Sequence, residues 1–485
     1  MSLPKPIFIQ SQRKAKIIAT LGPASASVAM IEKLIRAGIN IARVNMSHGT
    51  YDTHTQLIAN IREASNNLNR EIGVLLDLQG PKIRVAKLPN PLQLAAGQEW
   101  FIVAESEVGS MGAKSSQVIP TTYEDFIKDI VVGAHVLFDD GLIEATVTDK
   151  KTNYAVIKIK TGGLLKSNKG INLPTVKVSA PSLTKKDEED LYFGVKAGAD
   201  FVALSFVREA KDILHVKELL KKINVDLPII AKIEKPEALT NLNEILQATD
   251  AIMIARGDMG VEVGNHLVPA IQKQIISLCN QMGVPVITAT QMLESMITNS
   301  RPTRAEASDV ANAIWDGTDA VMLSAESASG QYPVESVEMM DSIVLEAEKT
   351  PRERPLLRNV AINDVTSANQ VAASLIAEKL GARWILSLTE LGRSCLKMTK
   401  FRSRSLVLGI SPSIKTLRRM SLYWGVVPYF IARNTDHTLL NDKDILDDLQ
   451  KRGLIKEGDT LVITHGDGAS FSETTTNSIR VEVIK

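Results

Sequence analysis

Phe201-Val202-Ala203-Leu204, Ile229-Ile230-Ala231, Ala251-Ile252-Met253-Ile254, Val286-Ile287 and Ala320-Val321-Met322-Leu323 are five short apolar runs that succeed one another along the chain. Each ends in polar or glycine-bearing residues. The runs are continuous rather than alternating, as strands buried on both faces read. Toward the N-terminus, Ile17-Ile18-Ala19-Thr20 and residues 39–44 and 73–76 add three more of the same kind. Helical periodicity fills most of the intervals, for example over 28–37, 212–223, 268–282 and 305–315. Eight strands alternating with helices predict a (β/α)8 TIM barrel. A doubly wound open sheet gives the same alternation, but the count of eight favours the barrel.

The rhythm stops between Asp77 and Asp187. Short alternating runs at 136–138, 142–148 and 154–160 surround Asp139-Asp140-Gly141, a strong hairpin signal. They predict a small β-barrel domain inserted after the third strand, over 82–179. An insertion at a βα loop overhangs the catalytic face of a barrel, so a lid is its natural role; passive decoration is the plainer one. Residues 349–355, charged and proline-bearing, read as a linker. Beyond it a helix at 370–380 and strands at 384–388, 406–410 and 461–463 predict a C-terminal α/β domain over 349–485. The catalytic barrel then comprises 1–81 and 180–348, with a short N-terminal arm at 1–13.

Length agrees with this division: 485 residues correspond to about three domains. With 44% hydrophobic and 23% charged residues the composition excludes disordered and fibrous classes. Lys+Arg of 56 against Asp+Glu of 55 leaves a net charge of +1, which argues against nucleic acid as a partner. No apolar run approaches the ~18 residues of a membrane helix. Pro6-Ile7-Phe8-Ile9 is too short for a signal-peptide core. Cys279 and Cys395 stand far apart, with no CxxC, so a cytoplasmic, reducing setting is expected.

In such a barrel the chemistry comes from residues just past the strand ends. Those positions hold Arg43-Val44-Asn45-Met46-Ser47-His48, Asp77-Leu78-Gln79-Gly80-Pro81-Lys82-Ile83-Arg84, Lys232-Ile233-Glu234, Arg256-Gly257-Asp258, Thr288-Ala289-Thr290 and Ser324-Ala325-Glu326. Glu234 and Asp258 end adjacent strands, so their oxygens could meet one hard divalent cation; Mg²⁺ often takes only one or two protein carboxylates. Each could instead pair with a neighbouring lysine or arginine. Arg43, Arg84 and Lys232 facing one space would favour a multiply charged anion, or form an ion-pair network. Gly257 would let the Asp258 backbone approach a ligand closely. His48 could donate to a phosphate, or cap a helix start with Ser47. There is no GxxxxGK[ST], no GxGxxG after an N-terminal strand and no HExxH. Gly466-Asp467-Gly468 reads as a turn, so a nucleotide would bind outside the P-loop scheme.

At these motifs the chain resembles the pyruvate kinases. The family's signatures stand here as Ala19 to Ala24, Asn45-Met46-Ser47-His48-Gly49, Gly80-Pro81-Lys82-Ile83-Arg84, Ile229 to Glu234, Ala255 to Gly260, Thr288 to Met296 and Met322 to Glu326. The resemblance runs from about Lys14 to the C-terminus. It implies transfer of a phosphoryl group from phosphoenolpyruvate to ADP, giving pyruvate and ATP. It implies Glu234 and Asp258 as ligands of Mg²⁺ (or Mn²⁺), Lys232 at the transferring phosphoryl group and enolate oxygen, and Arg43 on the substrate phosphate. Asn45, His48, Arg84 and Lys169 match positions around the nucleotide phosphates. Gly257, Asp258 and Thr290 match those at the substrate carboxylate. Apart from the resemblance, water near Thr290 could protonate the enolate, a donor the sequence does not identify. The family is built from a barrel, a lid and a regulatory domain, usually as a homotetramer.

Two departures qualify the match. Asn45, Ser47, Asp77 and Leu78 match the monovalent-cation (K⁺) site, but many members carry glutamate where Lys82 stands, and those tend to need the cation. A fixed positive charge at Lys82 predicts independence from K⁺. Thr389, Gly392, Arg393 and Ser394 match an effector site for a phosphorylated small molecule. Leu391 replaces a serine common there, which points away from fructose 1,6-bisphosphate toward a sugar or nucleotide monophosphate. Two rivals stand beside this reading: a metal-dependent oxo-acid aldolase, which needs no nucleotide, and a non-catalytic metabolite sensor, which should have lost Lys232 or a carboxylate.

Overall fold

The computed structural model describes residues 13–174, 176–350, 362, 364–432, 442–466 and 476–485. Pro6 to Ile9, most of the expected linker and Asp467-Gly468 lie outside the described residues. Eight parallel strands form a closed barrel: β1 (Lys16–Thr20), β2 (Ile41–Asn45), β3 (Gly73–Asp77), β4 (Phe201–Leu204), β5 (Ile229–Ile233), β6 (Ala251–Ala255), β7 (Val286–Ala289) and β8 (Ala320–Leu323). Each falls on a run picked out by its apolar continuity, and β8 pairs back onto β1 through Lys16↔Ala320 to Ala19↔Leu323.

Alternate residues of these strands bury two different cores. Ile17, Ala42, Val74, Val202, Ile229, Ile252 and Val321 pack against the surrounding helices. Ile18, Ile41, Leu75, Phe201, Ile230, Met253 and Met322 fill the barrel interior, where Leu422 of the C-terminal domain joins them. Helix boundaries follow their capping chemistry. Arg304–Asp316 starts at a Thr303/Glu306 capping box and stops at Gly317, whose φ is +105°. Tyr51–Asn67 is capped by Thr50 in a box with Thr53, so neither Ser47 nor His48 is the cap. Thr50 outcompetes them because its side chain reaches the N–H of Thr53 from the position that leads directly into the helix.

The insert after β3 is a six-stranded sheet in the order Ile171–Asn172, His135–Phe138, Ile143–Lys150, Ala155–Thr161, Glu99–Ala104, Val118–Thr121. A two-stranded ribbon, Leu92–Leu94 with Gly163–Leu165, stands beside it. Isolated bridges Arg84↔Gly170 and Val85↔Thr121 tie the hinge segment to both outer edges, and it is this segment that closes the sheet into a small barrel. The insert buries its own core around Trp100, Ile102, Phe126, Val136, Phe138 and Ile157. The C-terminal domain is a five-stranded sheet ordered Val426–Phe430, Leu406–Ser411, Trp384–Leu388, Thr460–His465, Ser478–Val483, with the last strand antiparallel. Its docking end meets the N-terminal end of the barrel, where Gly425 N–H donates to Lys14 O at 2.8 Å.

Candidate active site

β5 supplies the centre of the site. Side chains two apart on a strand share a face, so Lys232 and Glu234 project together. The Lys232 ammonium lies 3.1 Å from Glu234 Oε1 and 3.3 Å from Asp77 Oδ1, and donates to Ser205 Oγ at 2.8 Å. Asp77, at the end of β3, uses its other oxygen to accept from Arg43 Nε at 2.7 Å, while Arg43 Nη1 donates to Thr20 Oγ1 at 2.9 Å. Residues at the ends of β1, β2, β3, β4 and β5 therefore form one buried polar cluster.

Its charges are mutually tuned. Burial works against an ionised Asp77, but Lys232 and Arg43 outweigh it and hold the carboxyl below its ordinary range. Burial likewise opposes the charge on Lys232. Asp77 and Glu234 overcome that and raise the amine above the usual lysine value. Glu234 is raised by burial, with Asp258 adding to the effect and Lys232 opposing it. The Phe206 N–H donates to Glu234 Oε2 at 2.9 Å. Glu234 Oε1 and Asp77 Oδ1 are buried acceptors that meet Lys232 as ion pairs only, outside hydrogen-bond geometry.

Asp258 sits in the first turn of the helix Arg256–Val263, directly after β6. Gly257 N–H donates to Thr290 Oγ1 at 2.9 Å, joining the β6 and β7 ends. Thr290 has a φ of +67°. A β-branched residue is rarely found there, and such strain concentrates at functional sites. Arg256 braces this corner, donating to Thr290 O at 2.6 Å and pairing with Asp309 at 2.7 Å.

The insert contributes from above. Lys82 Nζ is 3.1 Å from Asp258 Oδ1 and 3.8 Å from Asp140 Oδ1, so one ammonium spans a barrel carboxylate and the insert's hairpin turn. Lys169 pairs with Asp139 at 2.7 Å, and Arg84 Nη1 donates to the Asn168 carbonyl at 2.9 Å. Asn45 Oδ1 accepts from the Ser47 N–H, Leu78 is buried with its carbonyl accepting from Ser205 Oγ, and His48 is exposed. Both Glu234 and Asp258 do have a lysine partner, as the plainer reading expects. Among the described residues no group of three or more His, Cys, Asp or Glu forms a ready-made metal cage.

Comparison with known proteins bears on this arrangement directly. The family described as "Pyruvate kinase, barrel domain" matches residues 12–337, and "Pyruvate kinase, alpha/beta domain" matches 368–482. The chain belongs to the pyruvate kinase family. It is 43% identical over 484 residues to the pyruvate kinase of Geobacillus stearothermophilus, covering 98% of this chain and 81% of that relative. Pyruvate kinases of Staphylococcus epidermidis (strain ATCC 35984) and Staphylococcus aureus (strain MRSA252) are 41% and 42% identical, each covering 97% of this chain and 80% of the relative.

Within this pyruvate kinase fold, strand-end reasoning missed Thr20, Ser205 and Phe206. The rule that found the other six strand ends, applied to β1 and β4, would have reached all three. Their quiet chemistry, hydroxyls and a backbone N–H, drew less notice than charges do. What no strand-end rule could supply is that Asp77 serves Arg43 and Lys232 at once.

Proposed function

We propose that the chain catalyses Mg²⁺-dependent phosphoryl transfer from phosphoenolpyruvate to ADP, releasing pyruvate and ATP. The observation that carries the reading is the Lys232 ammonium, largely buried and kept charged between Asp77 and Glu234 at the end of β5. Phosphoryl transfer needs charge neutralisation and positioning more than covalent chemistry. A preorganised ammonium stabilises charge on the transferring group and on the enolate oxygen without reorganising. Arg43, fixed by Thr20 and Asp77, is set to bind the substrate phosphate. Gly257, Asp258 and Thr290 take its carboxylate end, and Thr290 orders the water that protonates the enolate.

Glu234 and Asp258 would hold the Mg²⁺ or Mn²⁺. The donor set fits: Glu234 Oε1 is a buried acceptor without a hydrogen bond, and the Asp258 carboxylate has Lys82 as its ion-pair partner. Two carboxylates suffice when substrate oxygens and water complete the octahedron. When bound, the ion supplies positive charge to phosphoryl oxygens. Asn45, His48, Arg84 and Lys169 receive the nucleotide phosphates, the last two carried by the insert, residues 82–179, as it closes over the barrel mouth. Asn45, Ser47, Asp77 and Leu78 could receive K⁺, but Lys82 makes it dispensable. Its ammonium pairs with one barrel carboxylate, Asp258, and with Asp140 of the insert instead of pointing into solvent.

The domain at 349–485 binds a phosphorylated effector around Thr389, Gly392, Arg393 and Ser394, where Gly392 N–H donates to Thr389 Oγ1 and Leu391 is exposed. A homotetramer in the cytoplasm is the expected setting; both cysteines are buried and free, and no helix among the described residues is long and apolar enough to cross a membrane. A coupled assay tests the reaction. Pyruvate should appear from phosphoenolpyruvate only when ADP is present; release without ADP would contradict the reading, whereas nucleotide-independent pyruvate formation by cleavage of a hydroxylated oxo-acid would favour the aldolase-type one.

A further inference from the structure

Behind the metal-side loops lies a cleft of about 510 Å³, counting its opening to solvent, between the two hinge segments of the insert and the ends of β4 and β5. One wall is apolar: Ile83 from the outgoing hinge, Leu173, Val176 and Val178 from the returning one, and the ring of Phe206. The polar side carries three cations, Lys82, Arg208 and Lys235, against one carboxylate, Glu237.

These cations are not equivalent. Lys82 is paired with Asp258, and Lys235 lies 2.7 Å from Glu262. Arg208 donates instead to neutral groups, Val178 O at 2.6 Å, Ala180 O at 2.8 Å and Ser182 Oγ at 3.3 Å. Its guanidinium is partly buried and, among the ion pairs of the described residues, has no carboxylate within reach. A low-dielectric apolar wall beside an uncompensated cation favours an anion with an apolar body.

We propose that this hinge cleft is a second ligand site, for a small amphipathic carboxylate, and that its occupancy governs movement of the insert. Two contacts couple it to the chemistry. Arg208 ties the returning hinge to the β4 end, so a ligand wedged there fixes the hinge angle. Phe206, whose ring lines the cleft, has a φ of +55° and gives its N–H to Glu234. A ligand against that ring therefore acts on the same loop that positions a carboxylate of the reaction centre. Because it touches neither substrate subsite, it lowers turnover without competing with phosphoenolpyruvate or ADP.

The probe is indole-3-acetate, with its neutral analogue tryptophol, titrated calorimetrically into the full chain. Val178→Phe fills the cleft from a half-buried position outside the reaction machinery. We expect saturable binding of indole-3-acetate to the wild type, at least tenfold weaker binding to Val178→Phe, and at least tenfold weaker binding of tryptophol. Turnover should fall as the site fills, with both KM values within twofold. No saturable heat, equal binding by Val178→Phe, or equal binding of tryptophol overturns the site. Full turnover with the cleft occupied overturns its coupling to the hinge. Tryptophol needs no variant, so the charge arm holds even if Val178→Phe folds poorly. The calorimetric arms are independent of the proposed reaction.

Discussion

Asp77 joins three strand ends through one buried carboxylate, and its loss would strand two cations in the barrel mouth. Breaking a buried pair by removing one partner costs about 3–5 kcal/mol. Asp77→Asn should therefore lower stability by about that amount at neutral pH, as measured by urea unfolding. Because the folded pKa of Asp77 is lowered, its contribution is present above the unfolded carboxylate value and disappears as pH falls through the folded one. The gap between wild type and Asp77→Asn should shrink toward acid and persist at pH 7. Lys82 makes a different forecast. At separations of ~4–6 Å a charge reversal is worth several kcal/mol even at an effective dielectric near 20. Lys82→Glu should create a K⁺ requirement that the wild type lacks, read as turnover in tetramethylammonium buffer with and without KCl. A large K⁺ activation of the wild type would refute the assignment. At this scale Lys232, Glu234 and Asp258 were legible because charge at a strand end is conspicuous. The partnership of Asp77 with residues 34 positions before it and, across the insert, Lys232 was not, since ion-pair geometry across strands leaves no local pattern.

The strands announced themselves through apolar continuity, and all eight barrel strands stand on runs visible in the sequence. The insert was legible only as hairpins. Its strands Glu99–Ala104 and Val118–Thr121 pair in parallel across a 3-10 segment, which no turn signal marks. Helices reveal a different constraint. Lys185–Ala197 packs on β3 so closely that a Cβ at Gly194 would collide with the Leu76 side chain, which is fully buried. Leu76 cannot withdraw, and overpacking of this kind costs typically 1–3 kcal/mol. Gly194→Ala should lower the thermal midpoint by several degrees, consistent with that loss. An unchanged midpoint would mean that helix and strand separate without cost.

At the level of the molecule, the C-terminal domain is held to the barrel by buried charge. Arg402 Nη1 pairs with Asp319 at 2.8 Å, its Nη2 donates to Gly317 O at 2.9 Å, and its guanidinium stacks over Trp424 at 4.8 Å. Burial raises the Asp319 carboxyl, and Arg402 is the charge that opposes this. Arg402→Met should leave Asp319 buried without its cation and cost about 3–5 kcal/mol, and calorimetry should resolve two transitions where the wild type shows one. A single transition at the wild-type temperature would show that docking rests on apolar contacts such as Leu422 instead. The existence of a separate α/β domain could be read from its strands. Its strands Val426–Phe430 and Ser478–Val483 could not: Pro428 interrupts the first, as a residue confined to outer strands, and polar residues alternate with apolar ones in the second, which is largely exposed. Arg402 was equally hidden, since a cation that ends up buried looks like any surface residue in the sequence.

The central claim is that Lys232, largely buried and held charged by Asp77 and Glu234, stabilises the transferring phosphoryl group and the enolate. Turnover of Lys232→Ala, compared with wild type at saturating phosphoenolpyruvate, ADP and Mg²⁺, tests it most directly, with circular dichroism establishing that the fold is retained. Loss of a preorganised electrostatic group predicts a fall of at least ~10²–10³-fold; turnover within tenfold of wild type would contradict the account.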